Sequence, residues 1–280
     1  MNIRSLALTT ELALIATRGR VTDRGGYLVL ETPDDPGYYH GNLLVFPAAP
    51  QPGELVHWLR KFDDELGRNP AIKHVTFCWD GITGDQGAAE ELRDAGFQID
   101  THELLAAELV EAAPATLPTR LLAPDEVLAT ADLAWQLGDR HDETYRQFLH
   151  RRAAWHRDLV ARGAARFYGA FDGTSLVASL GLVRVLDLGR YQDVQTLPAY
   201  RKRGLARALL AAAARDALGE STSRLRADEK QWVGVDRVVI VAEPGSPAAR
   251  LYARAGFRAI ELTVSASRYP PDISRPIRVR

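Results

Sequence analysis

The spacing of apolar residues changes period along the second half of the chain, and that change restricts the fold more than any other feature. RFYGAF (166–171), Asp172-Gly173 and SLVASLGLVRVL (175–186) read as strand, tight turn, strand. RYQDVQTL (190–197) is a third strand, closed by Pro198, which has no N–H to give to a ladder. From Leu205 the spacing becomes helical. Leu205, Leu209, Leu210, Ala213 and Ala217 fall on one stripe, with Gly219 as the expected stop. A polar insert (220–234) precedes a strand RVVIVAE (237–243), a helix PAARLYARA (247–255) and a last strand from Phe257. Ahead of the hairpin, residues 131–163 carry one or two amphipathic helices. Helices, hairpin, strand, helix, strand, helix, strand is the order of a mixed α/β (α+β) fold whose sheet is wound by crossover helices.

Part of this pattern recurs in the first half. HVTFCWD (74–80) matches RVVIVAE as a buried strand ending in an acid. AAEELRDAGF (88–97) matches AARLYARAGF (248–257), with Ala-Ala and Ala-Gly-Phe in the same places. EAAPATLPTR (111–120) has no hydrophobic period and separates the halves. The expected organisation is two related domains in tandem, 1–115 and 116–280, which a length of 280 residues also favours.

Composition narrows the function classes. The 35 Lys and Arg residues nearly cancel 36 Asp and Glu, so no global field recruits nucleic acid or an anionic membrane. The single cysteine, Cys78, excludes intramolecular disulfides and Cys-rich metal sites, and no metal is expected. No stretch approaches the roughly 20 apolar residues that span a bilayer. Thr9, Thr10 and Glu11 interrupt the apolar run LALTTELALIA, so no signal peptide is expected and the location is read as cytoplasmic.

The chemistry is concentrated where the third strand meets its helix. The first turn of a helix leaves about four backbone N–H groups unpaired, and the aligned peptide dipoles put partial positive charge there. An anion docks on such groups without further machinery. Gly204 and Ala206 remove side-chain bulk where a diphosphate must approach the backbone, and Arg201, Lys202, Arg203 and Arg207 surround the same point.

Thr196-Leu197-Pro198-Ala199-Tyr200-Arg201-Lys202-Arg203-Gly204-Leu205-Ala206 resembles the central motif of the GNAT acyltransferase superfamily, V-x-P-x-x-[RQ]-x-x-G-x-[GA], with threonine replacing valine. A second motif of that family, A-x-x-L-Y-x-x-x-G-F, follows in order as Ala248, Leu251, Tyr252, Gly256 and Phe257. The asparagine usual three residues before that alanine is Gly245 here. The resemblance covers about residues 118 to 265 and implies a GNAT-like acyl-CoA N-acyltransferase fold with acetyl-CoA as acyl donor. It also implies roles: main-chain groups of Val194, Gln195 and Thr196 along the pantetheine arm and acetyl carbonyl, N–H groups from Lys202 through Gly204, Leu205 and Ala206 to Arg207 on the pyrophosphate, and Tyr252 as proton donor to the departing thiolate. A phenol with an ordinary pKa near 10 suits that last task.

An amine nucleophile must also lose a proton, so a base is expected. All seven histidines lie at or before residue 156, which leaves Asp193 and Glu243 as candidates. If Val194 and Thr196 mark one face of their strand, Asp193 points to the other unless a bulge intervenes. Trp135, Tyr145, Phe148 and Trp155, with His141, His150 and His156, read one by one as helix packing and solvated histidines.

In the first half, the strand NLLVF (42–46) runs into PAAPQPGE and the helix 54–66. Pro47, Pro50 and Pro52 stand where a diphosphate needs N–H groups, Glu54 adds repulsion, and Leu92 replaces the tyrosine. The expectation is a degenerate first domain without the cofactor and a catalytic second one. It would transfer acetyl from acetyl-CoA to an amine of a small molecule or peptide, with no nucleic-acid or membrane partner and a homodimer as one option. The alternative is a non-catalytic acyl-CoA-binding or sensor protein.

Overall fold

Strand and helix succeed one another in the computed structural model much as the apolar periods predict, and the structure describes residues 1–218 and 235–270. Gly219 and the polar insert 220–234 lie outside the described residues. The described chain divides into two compact units: Met1–Leu104 with residues 259–270, and Leu105–Arg258.

Unit 1 contains helix α1 (Leu6–Ile15), strands β1 (Arg20–Asp23), β2 (Leu28–Glu31) and β3 (Leu43–Phe46), and helix α2 (Leu55–Phe62). Strand β4 (Val75–Trp79), helix α3 (Ala89–Asp94) and the first part of β5 (Gln98–Ala107) follow. Its strands lie in the order β1-β2-β3-β4, with β3 and β4 parallel. Phe46, Trp58, Phe77, Trp79, Leu92 and Phe97 build its core. The N-terminus of α1 is stopped by two carboxylates of the same unit. Asp80 Oδ1 accepts from Ser5 N at 2.8 Å, and Glu261 accepts from Leu6 N at 2.8 Å and Ala7 N at 3.0 Å. They satisfy N–H groups a helix start leaves open.

Unit 2 contains β6 (Thr119–Leu121), helices α4 (Ala129–Leu137) and α5 (Glu143–Ala161), and strands β7 (Ala165–Asp172), β8 (Ser175–Val185) and β9 (Leu188–Thr196). Helix α6 (Leu205–Leu218), strand β10 (Arg237–Ala242) and helix α7 (Pro247–Arg254) complete it. Its order is β10-β9-β8-β7-β6, parallel at β10–β9 and antiparallel elsewhere. The hairpin turns at Gly173, φ +59°, a conformation free of Cβ crowding only for glycine. Residues 131–163 hold two helices. The chain leaves α4 at Gly138 in an extended conformation, and Asp142 starts α5 by accepting from Tyr145 N at 2.9 Å. The whole predicted stripe of α6, Leu205, Leu209, Leu210, Ala213 and Ala217, is buried.

The last strand behaves differently from the linear split at residue 115. Strand β11 (Arg258–Arg268) leaves α7 and pairs antiparallel with β4, Ser265 opposite Cys78 and Ser267 opposite Thr76. Its Val264 and Ala266 enter the unit 1 core. The corresponding strand of the first repeat, β5, ends with Leu105 and Ala107 in the core of unit 2. The repeats have traded their final strands. Alternation of side chains is the same whichever neighbour a strand takes, so the sequence pattern is silent on this exchange.

Candidate active site

Strand β9 starts as an ordinary interior strand and then opens. Its parallel pairing with β10 runs through Leu188–Arg237, Gly189–Val238 and Arg190–Val239 and stops there, although β9 continues to Thr196 and β10 to Ala242. From Tyr191 onward the edge of β9 that faces β10 is without a ladder partner among the described residues. On the other edge the β8 ladder slips: Ser179 pairs with Gln195 and Gly181 with Gln192, so Asp193 and Val194 together oppose Leu180. This is a β-bulge, and Asp193 takes φ +48° within it. The bulge resets the alternation. Val194 packs against the core beneath α6, while Asp193 and Gln195 are buried on the opposite side.

The turn that follows exposes backbone donors. Pro198–Tyr200 form a short 3-10 turn, then Lys202 (φ +63°) and Gly204 (φ +77°) take left-handed conformations before α6 begins. None of the N–H groups from Lys202 to Arg207 donates to a backbone acceptor among the described residues; the first that does is Ala208, to Gly204 O at 3.0 Å. Arg201, Lys202 and Arg203 are exposed around them. Six consecutive open donors at a helix start, ringed by cations, make a cradle with the chemistry an anion requires. Gly204 has a second reason to be glycine, since a Cβ there would collide with the Pro114 carbonyl. The segment from Glu111 therefore lies against the cradle, with the Glu111 carboxylate 3.7 Å from the Arg207 guanidinium.

Tyr252 projects from α7 into the same core as Val194 and Leu197. Burial pushes its phenol above the ordinary value of 10, so it stays protonated across the neutral range. The two candidate bases differ. Glu243 follows the end of β10 and is exposed. Asp193 is 8% exposed and its Oδ2 lies 3.2 Å from Arg152 Nε and 3.7 Å from His156 Nδ1.

Residues 163–259 match the model of the Acetyltransferase (GNAT) domain. The matched span falls almost wholly within unit 2. Among solved structures, a GCN5-related N-acetyltransferase from Kribbella flavida is similar over 98% of this chain and 99% of its own, with 15% identity and a TM-score of 0.65. A conserved protein of unknown function from Staphylococcus epidermidis gives a TM-score of 0.68 at 15% identity, over 89% of this chain and 94% of that one. A tandem GNAT protein from the clavulanic acid biosynthesis pathway gives 0.51 at 14% identity, over 78% and 70%. These likenesses establish a tandem GNAT fold. A comparison with curated proteins finds no match.

In unit 2 the structure adds residues that the motifs do not contain. His156 reads from sequence as a solvated histidine and Arg152 carries no sequence signal of its own, yet both are buried against β9, while His141 and His150 are exposed as expected. Their spacing of four on one helix face was the available signal. Ser179 Oγ and Gln195 Oε1, on cross-strand partners, are buried and without a hydrogen bond among the described residues. No cluster of metal-ligating side chains occurs among the described residues, and no helix among them is long and apolar enough to cross a membrane.

Proposed function

We propose that the chain is an acetyl-CoA-dependent N-acetyltransferase that moves the acetyl group directly to an amine of a small molecule or peptide. The observation that carries this reading is the adjacency of an open strand edge, Tyr191–Thr196, and a run of six open N–H groups, Lys202–Arg207. An extended pantetheine arm needs the first and a diphosphate needs the second. In this reading the main chain of Val194, Gln195 and Thr196 pairs with the arm, and Arg201, Lys202, Arg203 and Arg207 supply charge around Gly204, Leu205 and Ala206. The amine nitrogen bonds to the acetyl carbon, the carbon–sulfur bond breaks, and Tyr252 passes its proton to sulfur as CoA leaves. The amine's own proton goes to Glu243 or to water, because Asp193 is engaged by Arg152. The buried oxygens of Ser179 and Gln195 lack a donor, which is what an amine offers.

Release of free CoA across a panel of amines, amino acids and peptides tests the reaction. Tyr252→Phe is expected to lower turnover about 100-fold with acetyl-CoA affinity unchanged. One observation favours a second reading, a non-catalytic acyl-CoA-binding or sensor protein: the carboxylate on β9 is already tied into a buried ion pair. A Tyr252→Phe variant as fast as wild type in residual acyl transfer would favour that reading. Unit 1 we infer to be a degenerate copy that binds no cofactor. Absence of acetyl-CoA binding by calorimetry would remove both readings.

A further inference from the structure

The Asp193 carboxylate is the one charged group on the bulge of β9, and it is held from outside the sheet. Arg152 and His156 stand one helical turn apart on the inner face of α5, and both reach Oδ2 of Asp193, at 3.2 Å from Nε and 3.7 Å from Nδ1. All three side chains are buried. His156 is in turn packed on the Phe167 ring, centroids 4.8 Å apart, and that ring fills the space over Gly181, where a Cβ would collide with it. Gly181 is the residue at which the β8 ladder resumes after the slip. Helix, ring and glycine thus converge on the two residues that interrupt the ladder.

Left-handed backbone is disfavoured for an L-residue, and a bulge leaves its peptide groups outside the regular ladder. A buried guanidinium that must keep its carboxylate partner favours the bulge, because in a regular strand Asp193 would share the side of Tyr191, which lies in the core beneath α6, and the charge of Arg152 would be stranded. The bulge also falls in the stretch of β9 whose other edge is open toward β10. Its geometry therefore sets which backbone groups face the open slot.

We propose that Arg152, with His156 beside it, is a positioning residue: the pair clamps the bulge at Asp193–Val194 and so fixes the backbone that meets the acyl end of the bound donor. This rests on the acyl-CoA reading above. Asp193 is then an anchor and does not accept the amine's proton. The diphosphate is held by a different segment, Lys202–Arg207, so the clamp governs recognition of the acyl thioester separately from recognition of CoA.

The test compares acetyl-CoA with free CoA by calorimetry on the full-length chain. Binding involves no proton abstraction, so it is blind to any role of Asp193 as a base. Arg152→Gln is expected to weaken acetyl-CoA at least tenfold and free CoA less than twofold, and Arg152→Lys to restore acetyl-CoA to within threefold of wild type. Asp193→Asn serves as the second variant if Arg152→Gln does not fold. Asparagine tolerates a left-handed backbone, so its preference for the bulge conformation survives while the ion pair does not. It too should lose at least tenfold for acetyl-CoA alone. Equal weakening of both ligands, or full retention of acetyl-CoA affinity in Asp193→Asn, would overturn the clamp and leave the acyl-CoA reading standing. A wild-type chain that binds neither ligand would overturn both.

Discussion

The chain builds the same turn twice, from a buried strand into a helix, once at residues 47–54 and once at 198–206. In unit 2 the turn is open. Its N–H groups from Lys202 to Arg207 are without backbone acceptors among the described residues, and the strand before it separates from its parallel neighbour after Arg190. In unit 1 both features are closed by the chain's own groups. Pro47, Pro50 and Pro52 remove three N–H groups outright. Gln51 N donates to Glu54 Oε2 at 2.8 Å and Gly53 N to Glu91 Oε2 at 2.8 Å. The β3–β4 ladder stays paired to its end, Phe46 opposite Trp79, and Asp80 N carries it one bond further to Phe46 O. Phe46 and Trp58 then stack at 3.8 Å over that end. The difference teaches that this turn offers free donors to an anion only when the backbone around it is left unfinished.

The largest effect should come from cutting between the copies. A fragment of residues 116–280 lacks Leu105, Ala107 and Val110 from the unit 2 core, and loses the Glu111 N to Ala255 O bond of 2.9 Å. It also carries β11 without β4. We expect no cooperative thermal transition, followed by circular dichroism. A fragment that melts cooperatively and binds acetyl-CoA would show that the traded strands are dispensable and the two turns independent.

Closing the open turn by a single residue is the next largest change. Ala206→Glu places a carboxylate in the first turn of α6, as Glu54 and Glu91 do over the turn of unit 1. An acid there suits the helix dipole, so stability should hold or rise by about 0.3–1 kcal/mol. Acetyl-CoA affinity should fall on the order of 100-fold, since juxtaposed like charges cost several kcal/mol. Unchanged affinity in calorimetry would mean that the cradle on α6 is not where the diphosphate sits.

Much of this contrast was legible in the sequence because it depends on residue types whose physics is local. Proline lacks a donor, glycine tolerates φ of +77° at residue 204, and the stripe Leu205–Ala217 forms a helix face wherever it is placed. The bulge was legible only as a condition on where Asp193 points; the ladder does slip there, yet Asp193 lies on the side opposite Val194. What set it, a salt bridge between residues 152 and 193, joins elements far apart in the chain and leaves no periodic trace. The traded strands escaped for the same reason. Pairing partners are chosen by the whole core, with Val264 and Ala266 fitting beside Phe77 as well as any local pattern requires.

Acidification should separate the copies more gently. His74 in unit 1 is buried, its Nε2 is 3.0 Å from Asn42 O, and burial lowers its pKa from 6.5 to about 4. The folded chain thus keeps it neutral while the unfolded chain takes up a proton below 6.5. The stability it contributes is present above that value and is lost as pH falls toward about 4. Between pH 7 and 5 the loss should be about 2 kcal/mol, read as a falling denaturation midpoint. His74→Gln, which can still donate to Asn42 O, should flatten that slope. An unchanged slope would place the acid-sensitive group elsewhere.

The smallest effect bears most directly on how unit 1 is closed. Glu54→Gln with Glu91→Gln removes both carboxylates from its turn while keeping an amide oxygen to accept from Gln51 N and Gly53 N. These bonds are exposed, so their weakening should cost about 0.5–1 kcal/mol, measured by chemical denaturation. Acetyl-CoA should still bind once per chain, because the three prolines, the paired β3–β4 edge and the Phe46–Trp58 stack remain. A second equivalent of bound acetyl-CoA would break the comparison at its root. The first copy would then have kept a usable backbone, and two carboxylates alone would have been shutting it.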